Sequence, residues 1–145
     1  MKTLLLDAAL GTQLAVNGEE VPDWKNSIWS AHALINKPEA ILKIHIDNLE
    51  AGANVITTSN YYATPIILAK DSDKHNYKDL AKRALDLAQE AISLSGKEAL
   101  VAGSFPPINV SFRPDLTGTK DELEDFYGNL GNIYKNNVDI ILCES

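Results

Sequence analysis

Asp7 and Glu144 each close a short apolar run, Leu4-Leu5-Leu6 in the first case and Ile140-Ile141-Leu142-Cys143 in the second. Between them, Val55-Ile56 runs into Thr57-Thr58-Ser59-Asn60, and Ala99-Leu100-Val101-Ala102 runs into Gly103-Ser104. Four apolar runs thus end in polar or small residues. If the runs are parallel strands, their C-terminal ends are where an α/β protein does its chemistry. Each residue also has a plainer reading. Asp7 could cap the following turn, Glu144 could be solvated at a strand end, and Thr57 to Asn60 could be turn chemistry. The recurrence at every strand end is what singles the set out, and a fold alone does not give a function.

Other candidate chemistry is weaker. His45 falls within a helical pattern and reads as a packed or surface histidine, while His32 and His75 have no metal-ligand spacing to each other or to Cys143. Gly11 is isolated, so no G-x-G-x-x-G phosphate loop follows the first run, and no G-x-S-x-G elbow is present. Cys143, the single cysteine, sits in an apolar run and reads as a buried, inert thiol. Trp24 and Trp29 flank a turn and read as packing residues rather than a stacking platform.

The elements that must position these groups follow from periodicity and punctuation. Residues 4–6 read as a buried, parallel strand, because the run does not alternate. Residues 36–51 read as a helix with Asn36 as N-cap, Pro38 in the first turn, Ile41, Ile44, His45 and Leu49 on the apolar stripe, and Gly52 at C′. A β-branched strand over 55–58 follows, then a helix over 76–95 with Leu80, Ala84, Leu87, Ala88 and Ala91 on one face, ending at Gly96. A strand over 99–103, a Pro-rich loop over 104–118, a helix over 120–136 capped by Thr119 and a strand over 138–143 complete the chain. Strands alternating with helices predict βαβ units and a parallel sheet.

Composition bounds the rest. The chain has 145 residues, 45% of them hydrophobic and 23% charged, enough for one domain with a core. A net charge of -7 argues against non-specific nucleic-acid binding. No apolar run approaches the roughly 20 residues of a membrane span. Met1 to Leu6 is too short for a signal peptide, and one cysteine excludes an internal disulfide framework, so a cytoplasmic setting is the default.

Read in order, the motifs resemble the homocysteine S-methyltransferase family. Asp7-Ala8-Ala9-Leu10-Gly11-Thr12-Gln13-Leu14 resembles its D-G-[AG]-[LM]-G-T-x-L opening. Trp29-Ser30-Ala31-His32-Ala33-Leu34 with Pro38-Glu39, and the run from His45 through Ala51-Gly52-Ala53-Asn54 to Thr58, are similar to later family segments. Val101-Ala102-Gly103-Ser104-Phe105-Pro106-Pro107 resembles A-G-S-x-G-P, and Asp139 to Glu144 resembles D-x-[LI]-x-x-E. The resemblance spans essentially the whole chain.

It implies a (β/α)8 TIM barrel, of which residues 1–145 supply the first four β/α units, a single domain forming the N-terminal half of a homocysteine-binding barrel. The implied reaction moves a methyl group to the zinc-bound thiolate of L-homocysteine, giving methionine. A free thiol is mostly protonated at neutral pH, and zinc deprotonates a coordinating thiol. Residue by residue, the resemblance implies that Asp7 and the backbone N–H groups of Ala8 and Ala9 contact homocysteine. Glu144 would receive its amino group, and Thr58, Ser59 and Asn60 would line the pocket. Three departures stand out: Ala8 replaces a usual Gly, Thr58-Ser59-Asn60-Tyr61 reorders T-N-[ST]-Y, and Phe105-Pro106 replaces x-G. In the family the zinc cysteines come from the second half, none is present here, and Cys143 matches none of them. The chain alone is therefore expected to be inactive, a fragment or an incomplete half. It would need a C-terminal half or self-association across an exposed edge at 138–143. The alternatives are a non-catalytic half-barrel that binds or oligomerises, or an unrelated aldolase-like half, against which no strand-end lysine is available for a Schiff base.

Overall fold

The computed structural model describes residues 3–25, 27–70 and 74–144. Met1, Lys2 and Ser145 lie outside the described residues. The elements in order are α1 (Leu10–Val16), α2 (Ala31–Asn36), α3 (Pro38–Glu50), β1 (Val55–Thr57), α4 (Pro65–Leu68), α5 (Tyr77–Ser95), β2 (Leu100–Phe105), a 3-10 turn (Pro114–Leu116), α6 (Lys120–Tyr134) and β3 (Ile140–Cys143). The three strands form a parallel sheet in the order β1-β2-β3, with Val55 opposite Leu100 and Ala102 opposite Ile140. This is the α/β architecture that the alternating pattern predicts. No helix among the described residues is long and apolar enough to cross a membrane.

Local chemistry accounts for the long helices. Asn76 caps α5 by accepting from the Lys78 amide at 2.9 Å, and Gly96 closes it in the left-handed region at φ 64°. Thr119 and Glu122 form a reciprocal capping box on α6: the Thr119 hydroxyl accepts from the Glu122 amide at 3.3 Å, and the Glu122 carboxylate accepts from the Thr119 amide at 2.7 Å. Leu80, Ala81, Ala84, Leu85, Leu87, Ala88 and Ala91 form the buried face of α5, which packs along α3. One apolar cluster joins α1, α2, α3 and α4 to α5. The other joins β1 and β2 to α5 and α6 through Ile56, Val101, Phe126, Leu130 and Tyr134.

Several expectations are corrected. The helix starts at Pro38, with Lys37 at the N-cap, because Asn36 ends the separate helix α2. The run at 4–6 makes a single parallel bridge, Leu6 to Val55, rather than a buried strand, and Leu5 is 56% exposed. It has β1 on one side and no neighbour on the other among the described residues. Cys143 is exposed, not buried. Strand β3 lies at the sheet edge, and side chains alternate along it. Ile140 and Leu142 are partly covered, whereas Ile141, 45% exposed, and Cys143 face the uncovered side. Trp24 is also exposed, at 45%, with the Lys25 ammonium over its ring.

Candidate functional site

The strand ends converge on a cleft of about 290 Å³, lined in part by Asp7, Ala8, Ala9, Thr58, Ser59 and Glu144. Parallel pairing brings them together, because each strand ends at the same edge of the sheet. Asp7 is held there by residue 57, fifty positions away in the chain: its carboxylate accepts from the Thr57 amide at 2.9 Å and from the Thr57 hydroxyl at 2.8 Å. It caps no helix. The N-cap of α1 is Ala9, which has no side-chain oxygen, so the first amides of α1 receive no side-chain cap.

Behind the cleft wall lies a buried polar network. The Thr58 hydroxyl donates to Asn60 Oδ1 at 2.7 Å and accepts from the Ser104 amide at 2.9 Å. Asn60 Nδ2 donates to the Ser104 carbonyl at 3.1 Å, and the Tyr134 hydroxyl donates to Asn60 Oδ1 at 2.8 Å. The Ser104 hydroxyl in turn donates to the Glu144 carboxylate. The network ties the ends of β1, β2 and β3 to α6, and its members satisfy one another in a low-dielectric setting. Asn60 is fully buried in it and does not line the cleft, unlike the other six residues that the resemblance assigns to the homocysteine pocket. Ser59 does line the cleft, and its hydroxyl is buried without a hydrogen-bond partner.

The two carboxylates share one electrostatic environment. Burial raises the Asp7 pKa against the opposing hydrogen bonds from Thr57. Burial also raises that of Glu144, the Ser104 hydrogen bond opposes the shift, and the negative charge of Asp7 adds to it. Two partly desolvated acids that repel each other favour a cation placed between them.

Sequence reasoning placed Thr57 and Ser104 at strand ends without giving either a role, and it missed Tyr134 and Tyr61 as parts of the site. Thr57 and Ser104 were visible at strand ends, but nothing local marks them as partners of Asp7 and Glu144. Tyr61 lines the cleft and stacks on Tyr62. Trp29, read as a packing residue, does pack, edge-on to Tyr62 and against Gly11, and it also lines the cleft. A β-carbon on Gly11 would lie 2.3 Å from the indole, so the glycine is what lets the ring sit there.

The donor set does not fit a zinc site. Among the described residues no group of three His, Cys, Asp or Glu side chains is placed to hold a metal ion. Leu142 and Glu144 line the cleft, so strand alternation turns Cys143 to the opposite face. Burial drives the His45 pKa down to about 4, leaving a neutral imidazole with neither nitrogen hydrogen-bonded.

A profile described as homocysteine S-methyltransferase matches residues 4–145. The Escherichia coli (strain K12) homocysteine S-methyltransferase is 36% identical over 111 residues, which cover 72% of this chain and 35% of that protein. Homocysteine S-methyltransferase 2 of Zea mays is 39% identical over 86 residues, covering 59% and 24% respectively. In three dimensions the chain is similar to the homocysteine methyltransferase MmuM from Escherichia coli in its metallated form. The TM-score is 0.79 at 28% identity, over 99% of this chain and 54% of that one. The oxidized form of the same enzyme gives 0.78 at 30% identity. The chain thus spans about half the length of the solved structures it matches.

Proposed function

The chain belongs to the homocysteine S-methyltransferase family, and on that premise we propose that it is the homocysteine-recognising half of such an enzyme's (β/α)8 barrel. The α-ammonium of L-homocysteine sits between Asp7 and Glu144. Its carboxylate turns toward the uncapped amides at the start of α1, beside Ala8 and Ala9, with Thr58 and Ser59 forming the opposite wall. The thiol then points to the open side of the cleft, where a methyl donor arrives. The new bond forms from a sulfur lone pair to the methyl carbon as the donor's own bond to that carbon breaks, and the thiol proton goes to solvent. Positioning dominates such an in-line displacement. The zinc that the resemblance implies for the complete enzyme would be held by cysteines this chain does not contain. A cytoplasmic setting belongs to the same reading.

The observation that carries the proposal is the pair of carboxylates facing one small cleft with coupled charges. An α-amino group supplies the missing positive charge and charge-assisted hydrogen bonds. Calorimetry on the full chain tests this with L-homocysteine and 4-mercaptobutanoate, which keeps the thiol and carboxylate but lacks the amine. Selective binding of homocysteine, weakened by Asp7→Asn, is expected. Equal binding of the two compounds would remove the basis of the assignment.

One specific observation favours a second reading, a half-barrel that binds or oligomerises without catalysis. The outer face of β3 at Ile141 and Cys143 is uncovered among the described residues. Sedimentation equilibrium with a parallel assay for methionine formation separates the two. A stable oligomer that makes no methionine supports the second.

A further inference from the structure

The loop between β2 and α6 carries a second concave surface, apart from the cleft that Asp7 and Glu144 line. It is a groove of about 390 Å³ with an apolar floor of Ile108, Val110, Leu116, Leu123 and Tyr127. Phe112 stands at its rim, 89% exposed, with a left-handed backbone at φ 61°. A bulky residue is an outlier at this φ, where Gly or Asn sits with less strain. The ring gains nothing from burial within the chain itself.

The loop is held in this shape at three points. The Tyr127 hydroxyl donates to the Pro106 carbonyl at 2.9 Å, and the Thr64 hydroxyl donates to the Ile108 carbonyl at 2.7 Å. The Ser111 and Tyr61 hydroxyls meet at 2.5 Å. Strain kept in a firmly held segment points to function. A ring and a groove fixed in advance also lose little freedom when a partner arrives.

The patch matches its own copy. Ring and groove lie side by side on one surface, a projection next to a recess large enough for an aromatic side chain. A two-fold axis between two such patches seats each ring in the other's groove, the isologous arrangement in which one surface is its own complement. The charges agree with it. Arg113 lines the groove and forms a two-point pair with Asp115, at 2.8 Å from Nε and 2.5 Å from the terminal nitrogen. Both side chains stay about half exposed, at 54% and 58%. The pair carries one charge of each sign, so across the axis each guanidinium also meets the partner's carboxylate. On α6, Lys120 and Glu124 pair likewise at 3.5 Å. Leu123 and Tyr127 face the groove, so Asp121 and Asp125, two positions along the helix, point away from it. The remainder of the -7 net charge is screened beyond about 8 Å at physiological salt. A basic partner would be selected by unpaired acids at the rim, whereas Asp115 already has its cation.

We infer that Phe112 and the groove beside it form an isologous interface with a second copy of this chain. The inference stands apart from the homocysteine reading, and apart from association through the open edge of β3.

Sedimentation velocity on the full chain over a range of concentrations tests it. The wild type should pass from 15.8 kDa to twice that mass as concentration rises. Phe112→Asn removes the ring and suits the left-handed backbone, so it should weaken the dimer by roughly thirtyfold or more without lowering the urea midpoint of the monomer. Arg113→Asp and Asp115→Arg should each weaken the dimer, because like charges then face each other across the axis. An equimolar mixture of those two variants should associate again, and this charge swap decides the matter if Phe112→Asn fails to fold. Ile141→Lys, on the edge of β3, should leave the dimer unchanged. A mass that stays at 15.8 kDa up to about 1 mM overturns the inference. So does a dimer that survives Phe112→Asn, a dimer lost in Ile141→Lys, or a charge-swapped mixture that associates no better than either variant alone.

Discussion

Gly103→Ala tests whether the buried network organises the cleft. Gly103 lies within β2, and a β-carbon built on it would stand 2.7 Å from Tyr134 Cδ2 and 3.1 Å from two further ring atoms. The ring cannot swing away freely, since Tyr134 is 1% exposed and its hydroxyl donates to Asn60 at 2.8 Å. Overpacking of this kind costs about 1–3 kcal/mol. Loss of the tyrosine hydrogen bond adds about 1 kcal/mol, because Asn60 Oδ1 keeps its second donor, Thr58. Replacing a strand glycine returns about 0.5–1 kcal/mol of backbone entropy. The net expectation is a loss of about 2 kcal/mol, a large share of the ~5–15 kcal/mol typical of a domain. Urea unfolding of the wild type, Gly103→Ala, Tyr134→Phe and the double variant measures it. If the alanine displaces the ring and breaks its hydrogen bond, then Tyr134→Phe costs about 1 kcal/mol alone but almost nothing on top of Gly103→Ala. Additive costs would show that the hydrogen bond survives the clash. A Gly103→Ala cost below about 0.5 kcal/mol would refute the packing argument altogether.

Other expectations follow from the same structure. Glu144→Gln removes a charge that burial and Asp7 both disfavour while leaving an oxygen for the Ser104 hydroxyl, so the fold should gain stability at pH 7. Homocysteine affinity, by calorimetry, should fall at least tenfold, or about 1.4 kcal/mol; unaltered affinity would remove Glu144 from the site. His45 has an ordinary value of 6.5 and is held near 4 in the fold, so the unfolded chain takes up the proton first as pH falls. Its stabilising contribution is complete above about pH 6.5 and is lost progressively down to about pH 4, by roughly 3 kcal/mol. His45→Leu should flatten that part of the stability profile in denaturant titrations at successive pH values. Thr119→Ala removes half of the capping box on α6 and should cost about 1 kcal/mol by thermal or urea unfolding, with no change in homocysteine binding.

The alternation of strand and helix, the helix end at Gly96 and the cap at Thr119 were legible in the sequence, because they depend on residues within a turn or two of one another. So was the gathering of polar residues at one edge, since parallel strands ending in such residues have only one edge to share. The resemblance added the identity of the motifs, which periodicity could not supply.

What escaped the sequence depends on neighbours that are distant in the chain. Whether Asp7 caps a turn or faces a cleft is decided by Thr57, which reaches it through the bridge between Leu6 and Val55. Asn60 turns away from the cleft because Tyr134, on α6, and Ser104, on β2, bind it there. Cys143 reads as buried from its apolar run, yet burial needs a second layer over that face, and the described residues provide none at the outer edge of β3. The sequence by itself determined which elements form and which polar groups the strands carry forward, since both follow from short-range periodicity and sterics. Only the tertiary structure decided which carboxylate meets which hydroxyl, which face is covered and how two acids come to share a cleft, because burial and charge coupling are set by distance in space.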